Sequence, residues 1–217
     1  MSDIFQEVDE AVRREQLQKL WKRYGNLVIV AAALVVLAVG AWRGYQWWEA
    51  KQAAQAGAAF DAAAELAEQG KTAEAEGAFA RLAKDGTAAY RILARLREAA
   101  VLGEYNPKAA IAAYDAIASD GAVPRVFQEL AGIRAGLLLV DSAPLAELTQ
   151  RLEPLAQPDG TFRHSAREIL ALAAFKAGDQ VAGKKWFDMI AADADTPQSL
   201  RGRIDVLMAL SGETGKG

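Results

Sequence analysis

The chain has 217 residues, a formal net charge of −3 and no cysteine. The missing cysteine excludes a disulfide framework, a thiolate metal site and a cysteine nucleophile, and a pI near 5.4 lacks the basic excess of a nucleic-acid binder. Hydrophobic residues make up 52%, much of it alanine; with Leu, Glu, Arg, Lys and Gln this favours helix, because these side chains lose little freedom there, and it predicts an all-α fold.

Residues 1–23 read as a leader helix. Ile4, Phe5, Val8, Val12, Leu20 and Trp21 recur at approximate helical spacing. Asp3 can cap the start, with Gln6 three residues later. Acids (Glu7, Asp9, Glu10) come early and cations late, which complements the helix dipole. Asp9–Arg13, Glu10–Arg14 and Glu15–Lys19 are spaced as i,i+4 pairs. Two readings stay open: a helical extension of the span that follows, or a helix that docks a partner in the cytoplasm or lies on the membrane surface.

Residues 24–43 read as a transmembrane helix. No charge falls between Tyr24 and Trp42, and the core from Leu27 to Val39 is aliphatic or alanine. Such a helix covers about 28 Å, close to the hydrocarbon thickness of a bilayer. Trp21 and Tyr24 stand at one end, and Trp42, Tyr45, Trp47 and Trp48 at the other. Amphipathic rings at both ends are what an interfacial belt requires, whereas a buried core helix seldom carries aromatics and cations at both ends. Arg13, Arg14, Lys19, Lys22 and Arg23 precede the span and only Arg43 and Lys51 closely follow it. Basic flanks stay cytoplasmic, so the N-terminus is expected inside and the large domain outside. A cleaved signal peptide is the competing reading, because Ala38-Val-Gly40 offers small residues at a peptidase spacing. The acidic stretch ahead of the basic region, the length of the apolar run and the bulk of Trp42 argue against it.

Residues 44–70 read as a connecting helix, rich in Ala and Gln, that enters a repeat array over 71–217. After Arg43, twenty-three carboxylates outnumber nineteen cations, so electrostatics do not draw this domain to DNA or anionic lipid. A signature of small residue, aromatic four positions on and aliphatic three further recurs at about 35 residues, near the 34-residue tetratricopeptide period. Ala75, Phe79 and Leu82 carry it, as do Ala110, Tyr114 and Ile117, and Ala182, Trp186 and Met189. The instance between is degenerate: Leu148, Leu152 and Leu155, without an aromatic. Positions four and seven apart share a helix face; the small residue lets a partner helix approach, and the aromatic fills the space between hairpins. Gly- and Pro-containing turns separate helices over about 71–84, 87–102, 107–119, 124–140, 144–156, 161–177, 179–193 and 197–211. Asn106-Pro107 and Thr196-Pro197 fit N-cap followed by first helical residue.

Little in the chain carries chemistry. His164 is the sole histidine, too few for a histidine metal cluster, and reads as a packing or surface residue of the repeat. Asp61 with Glu65, and Asp193 with Asp195, read as solvated faces and turn caps. Arg91, Arg95 and Arg97 surround Leu93 and read as a charged outer face or as a contact for carboxylates. No phosphate loop, dinucleotide fingerprint or nucleophile elbow occurs. No cofactor, metal, nucleic acid or small-molecule substrate is expected, and no catalysis.

The acidic-then-basic leader, Leu20-Trp-Lys-Arg-Tyr-Gly25, the apolar span, Ala41-Trp-Arg43 and Trp47-Trp48, followed by the repeats from about Ala53, resemble the YfgM-like family of tetratricopeptide-like bacterial membrane proteins. The resemblance implies a single-pass inner-membrane protein with its repeat domain in the periplasm. It also implies an ancillary subunit of the Sec translocon that holds or hands over unfolded secretory proteins beside a membrane-anchored peptidyl-prolyl isomerase. The residues alone leave open a membrane-tethered regulator that captures a cytoplasmic factor through its leader, and an envelope-assembly scaffold.

Overall fold

The computed structural model describes the backbone of residues 3–214, and the side chains of Arg14, Gln18, 21–27 and 29–208. Among the described residues the chain is helical without strands. α1 (Asp3–Glu68) is followed by α2 (Thr72–Asp85), α3 (Ala88–Gly103), α4 (Pro107–Ala118), α5 (Arg125–Leu139), α6 (Leu145–Leu152), α7 (Arg163–Lys176), α8 (Gln180–Ala192) and α9 (Gln198–Thr214), with a 3-10 turn at Glu153–Ala156. Each of the eight helices expected after residue 70 is present, its ends within three residues of the expectation, except that the helix expected over 144–156 stops at Leu152 and gives way to the 3-10 turn.

The chain divides into two compact units, Met1–Gln55 and Ala56–Gly217. α1 is the helix of the first unit, and its last turns belong to the second. The side chains of the leader pairs Asp9–Arg13, Glu10–Arg14 and Glu15–Lys19, and the Asp3 cap, lie outside the described residues, except that Arg14 is exposed.

In the second unit, successive helices pack as hairpins whose inner faces form three apolar clusters. Ala56, Phe79 and Ala94 share the first, Tyr114, Ile117 and Ala131 the second, and Leu152, Leu170 and Phe187 the third. Stacking is required because a single hairpin leaves one apolar face in water. The turns inside the first and last pairs end on a left-handed glycine, Gly70 (φ 73°) and Gly178 (φ 81°). There the amides of Lys71 and Asp179 reach back to the carbonyls of Leu66 and Ala174, closing the helix end. Asn106 and Asp179 accept from the amides of Ala109 and Ala182, capping α4 and α8. Thr196 does not cap α9 as expected. Its hydroxyl donates to the Ile190 carbonyl at 2.7 Å, and the Pro197 carbonyl takes the first helical amides instead. Thr196 is buried, its hydroxyl turned back onto the end of α8.

Candidate functional site

Two surfaces carry the candidate residues, one in each unit. In the first, the aliphatic side chains described between Leu27 and Val39 are exposed, and 6% of the most apolar window is buried inside the protein. That excludes a buried core helix as the reason for the segment's composition. It is long and apolar enough to cross a membrane. Trp21, Tyr24, Trp42, Tyr45, Trp47 and Trp48 are all exposed. Arg23 lies over the Tyr24 ring at 5.6 Å and Lys51 over the Trp47 ring at 5.3 Å, so at each end a cation stands against an aromatic face. The indole of Trp21 covers Gly25, whose added Cβ would stand 3.2 Å from the ring. Lys22 is exposed; the Arg13 and Lys19 side chains lie outside the described residues.

In the second unit, Ala75, Phe79 and Leu82 on α2 and Ala110, Tyr114 and Ile117 on α4 are buried. Phe79 meets Phe60 of α1 edge-to-face at 5.4 Å, and Phe60 also meets Tyr90 of α3. On α8 the register differs from the expected one. Gly183, Phe187 and Ile190 occupy the inward positions together with Trp186, while Ala182 and Met189 are only half-buried. The Trp186-Phe187 doublet offers two aromatics at adjacent positions, and Phe175 of α7 selects Phe187 by packing its ring 5.2 Å away. The degenerate pair is rescued from the opposite side. Leu148 and Leu152 are fully buried, and Gly136 of α5 leaves the space that the Leu152 side chain fills. The Leu152 side chain therefore packs directly against the α5 backbone at Gly136.

Polar side chains at the far end of the array form a knot. Arg163 grips Asp193 through Nε at 2.7 Å and Nη2 at 3.2 Å, and reaches Asp195. Buried Arg167 donates to the same Asp193 carboxylate at 2.9 Å and to the Ala156 carbonyl. Arg201 donates to the Asp193 backbone carbonyl. Chiefly through the Arg163 hydrogen bond, with help from the Asp195 amide and Arg167, the Asp193 carboxyl is held well below the usual carboxylate range. His164 sits in this knot, its Nε2 3.1 Å from Asp193 Oδ2. The knot ties α7 to the α8–α9 turn and presents no open site. Asp61 and Glu65 are exposed, the latter accepting from Gln69.

Midway along the array, Arg95 is committed to Asp120 at 2.6 Å. Arg97 on α3 and Arg134 on α5 are exposed and make no ion pair or hydrogen bond among the described residues. Both act electrostatically on the buried Tyr114 hydroxyl, which burial pushes up and the two guanidiniums pull partly back. Sequence reasoning singled out Arg97 but missed Arg134, although α3 and α5 match at one interval: Leu93 with Leu130, Ala94 with Ala131, Arg97 with Arg134. Among the described residues no group of three or more potential metal ligands gathers. The arrangement defines a helical-repeat scaffold.

Comparison with known proteins gives the class its family. Residues 18–169, well over half of the chain, match the tetratricopeptide repeat-like domain family, and the chain belongs to it. A curated relative, the ancillary SecYEG translocon subunit of Haemophilus influenzae, is 29% identical over 182 residues, 83% of this chain and 88% of the relative. That likeness agrees with the YfgM-like character of the leader and span. With the apolar helix, it marks the chain as membrane-anchored. No solved structure matches.

Proposed function

We propose that this protein is a non-catalytic binding subunit that works beside the Sec translocon and holds unfolded secretory segments as they emerge. The observation that carries the reading is the similarity, over most of both chains, to a relative named as an ancillary SecYEG translocon subunit. The architecture fits: an apolar span followed by a repeat array. In this reading residues 1–23 form a cytoplasmic leader, 24–43 cross the bacterial inner membrane, 44–70 connect, and 71–217 form a periplasmic repeat domain. Orientation rests on Arg13, Arg14, Lys19, Lys22 and Arg23 ahead of the span. The aromatics at its two ends set its depth, and the small–aromatic–aliphatic triples hold the hairpins together. A membrane-anchored peptidyl-prolyl isomerase is the expected neighbour.

Repeat arrays present extended surfaces suited to peptides. A disordered client loses ordering entropy on binding, so intrinsic affinity is low. Tethering offsets this by concentrating the domain where clients leave the membrane. The test places photo-crosslinking residues on the repeat domain of the intact membrane protein. Capture of Sec components, their partners or translocating chains is expected. Capture of none of these would replace the reading with a regulator working through residues 1–23 or an envelope-assembly scaffold. Exchanging residues 24–42 for an unrelated membrane helix is expected to weaken those contacts.

A further inference from the structure

Where the leader meets the span, positive charge goes unanswered. The last acid ahead of the span is Glu15, and the next along the chain is Glu49. Lys19, Lys22 and Arg23 stand between Glu15 and the apolar run. Arg23 is turned onto the Tyr24 ring. Lys22 and Arg14 are exposed and make no ion pair among the described residues. These two cations share a site: Arg14, Gln18, Trp21 and Lys22 line one open recess of about 390 Å³ on α1. Steps of four, three and one along a helix keep them on one face. Gly25 completes that face one turn beyond Trp21. The indole lies over it, 3.2 Å from where a Cβ would stand. The glycine thus lets the ring lie along the helix and wall the recess.

The walls and the depth of the recess narrow the ligand. The lining is mostly carbon, the indole and the methylene stems, which leaves the charged heads for the edge. Lys22 lies two residues before the uncharged run that opens at Tyr24, so it stands about 3 Å outside the hydrocarbon, with Arg14 about 12 Å farther along the axis. Lys22 and Trp21 are therefore in the headgroup layer and Arg14 is at its outer edge. A simple anion would use the cations and leave the carbon walls in water. A zwitterionic lipid would bring an ammonium group against the same cations. A phospholipid of net negative charge uses both parts of the site.

We infer that the Arg14–Gln18–Trp21–Lys22 face of α1 binds the headgroup of an anionic phospholipid. Lys22 and Arg14 receive the phosphodiester, the Gln18 amide donates to it, and the glycerol and first acyl carbons lie on the indole. The inference needs the apolar span to lie in a bilayer. It needs neither the translocon nor a particular orientation.

The test uses the full chain in symmetric phosphatidylcholine vesicles that carry a trace of photoactivatable lipid, its diazirine at the head of the acyl chain. The photoactivatable lipid is phosphatidylglycerol in one arm and phosphatidylcholine in the other, and peptide mass spectrometry maps the labelled residues. Labelling within residues 14–25 by phosphatidylglycerol is expected to exceed that by phosphatidylcholine about tenfold. The double variant R14Q/K22Q should remove this excess. The double variant R13Q/K19Q removes the same formal charge from positions on other faces of the helix and should leave it. R14K should retain most of it, because lysine meets phosphate as a point charge. Gly25→Leu keeps every charge but displaces the indole, and should lower it. Unchanged helicity and resistance to carbonate extraction show that each variant is folded and inserted. Equal labelling by the two lipids, or an excess that survives R14Q/K22Q or Gly25→Leu, would overturn the inference. So would an equal loss in R13Q/K19Q, the mark of diffuse attraction to a basic leader. Displacement of the label by excess glycerol phosphate, which has the anion without the acyl chains, would overturn the lipid as occupant.

Discussion

Gly183 of α8 lies flat against the ring of Phe175 on α7: a Cβ built at 183 would stand 2.8 Å from three carbons of that ring. Phe175 is itself held by Phe187, so the ring cannot swing aside freely. Alanine would gain about 1 kcal/mol of helix propensity but would overpack a site where such insertions cost about 1–3 kcal/mol. Gly183→Ala is expected to lower the thermal midpoint of the purified full-length protein, and Gly183→Val to lower it further. Variants that melt at or above the parent would show that α7 and α8 are not packed this closely.

Tyr114 is 4% exposed and seals α4 between its neighbours. Truncating such an aromatic costs about 3–5 kcal/mol when the site is fully buried. Tyr114→Ala should therefore destabilise strongly, whereas Tyr114→Phe keeps the ring and should melt near the parent. Denaturant unfolding of the pair separates packing from the hydroxyl.

The depressed Asp193 carboxyl fixes the sign of an acid dependence. Its folded value lies below the ordinary 3.8, so its contribution is fully present above that pH and is lost as pH falls from there toward the folded value. Asp193→Asn leaves buried Arg167 without its carboxylate and should cost about 3 kcal/mol at neutral pH. The gap between variant and parent should narrow in unfolding curves taken below about pH 3.8. A gap independent of pH would mean that the knot holds by shape rather than by charge.

Topology is tested by reporter fusions after Gly217. An alkaline phosphatase fusion is expected to be active and a fluorescent cytoplasmic reporter dark, since the cations gather ahead of the span. The opposite pattern would invert the orientation. The full chain should also resist alkaline carbonate extraction, and a mature N-terminus at Ala41 would instead mark residues 1–40 as a removed signal.

The helices were legible in the sequence because their causes are local. Alanine-rich periodic runs form them, and glycines such as Gly70 and Gly178 end them. The apolar span announced itself equally plainly, since nineteen uncharged residues from Tyr24 to Trp42 have no better solvent than lipid. The triples at Ala75–Leu82 and Ala110–Ile117 were readable because each has one aromatic at the diagnostic place. On α8 both adjacent aromatics, Trp186 and Phe187, are buried, and one helix alone does not show that Gly183, Phe187 and Ile190 join Trp186 on the inward face. Phe175, on another helix, packs against Phe187 there. The same limit hid the Asp193 knot. It joins groups from different helices, and their proximity depends on how the hairpins stack, which is settled by long-range packing rather than by the spacing of residues along the chain.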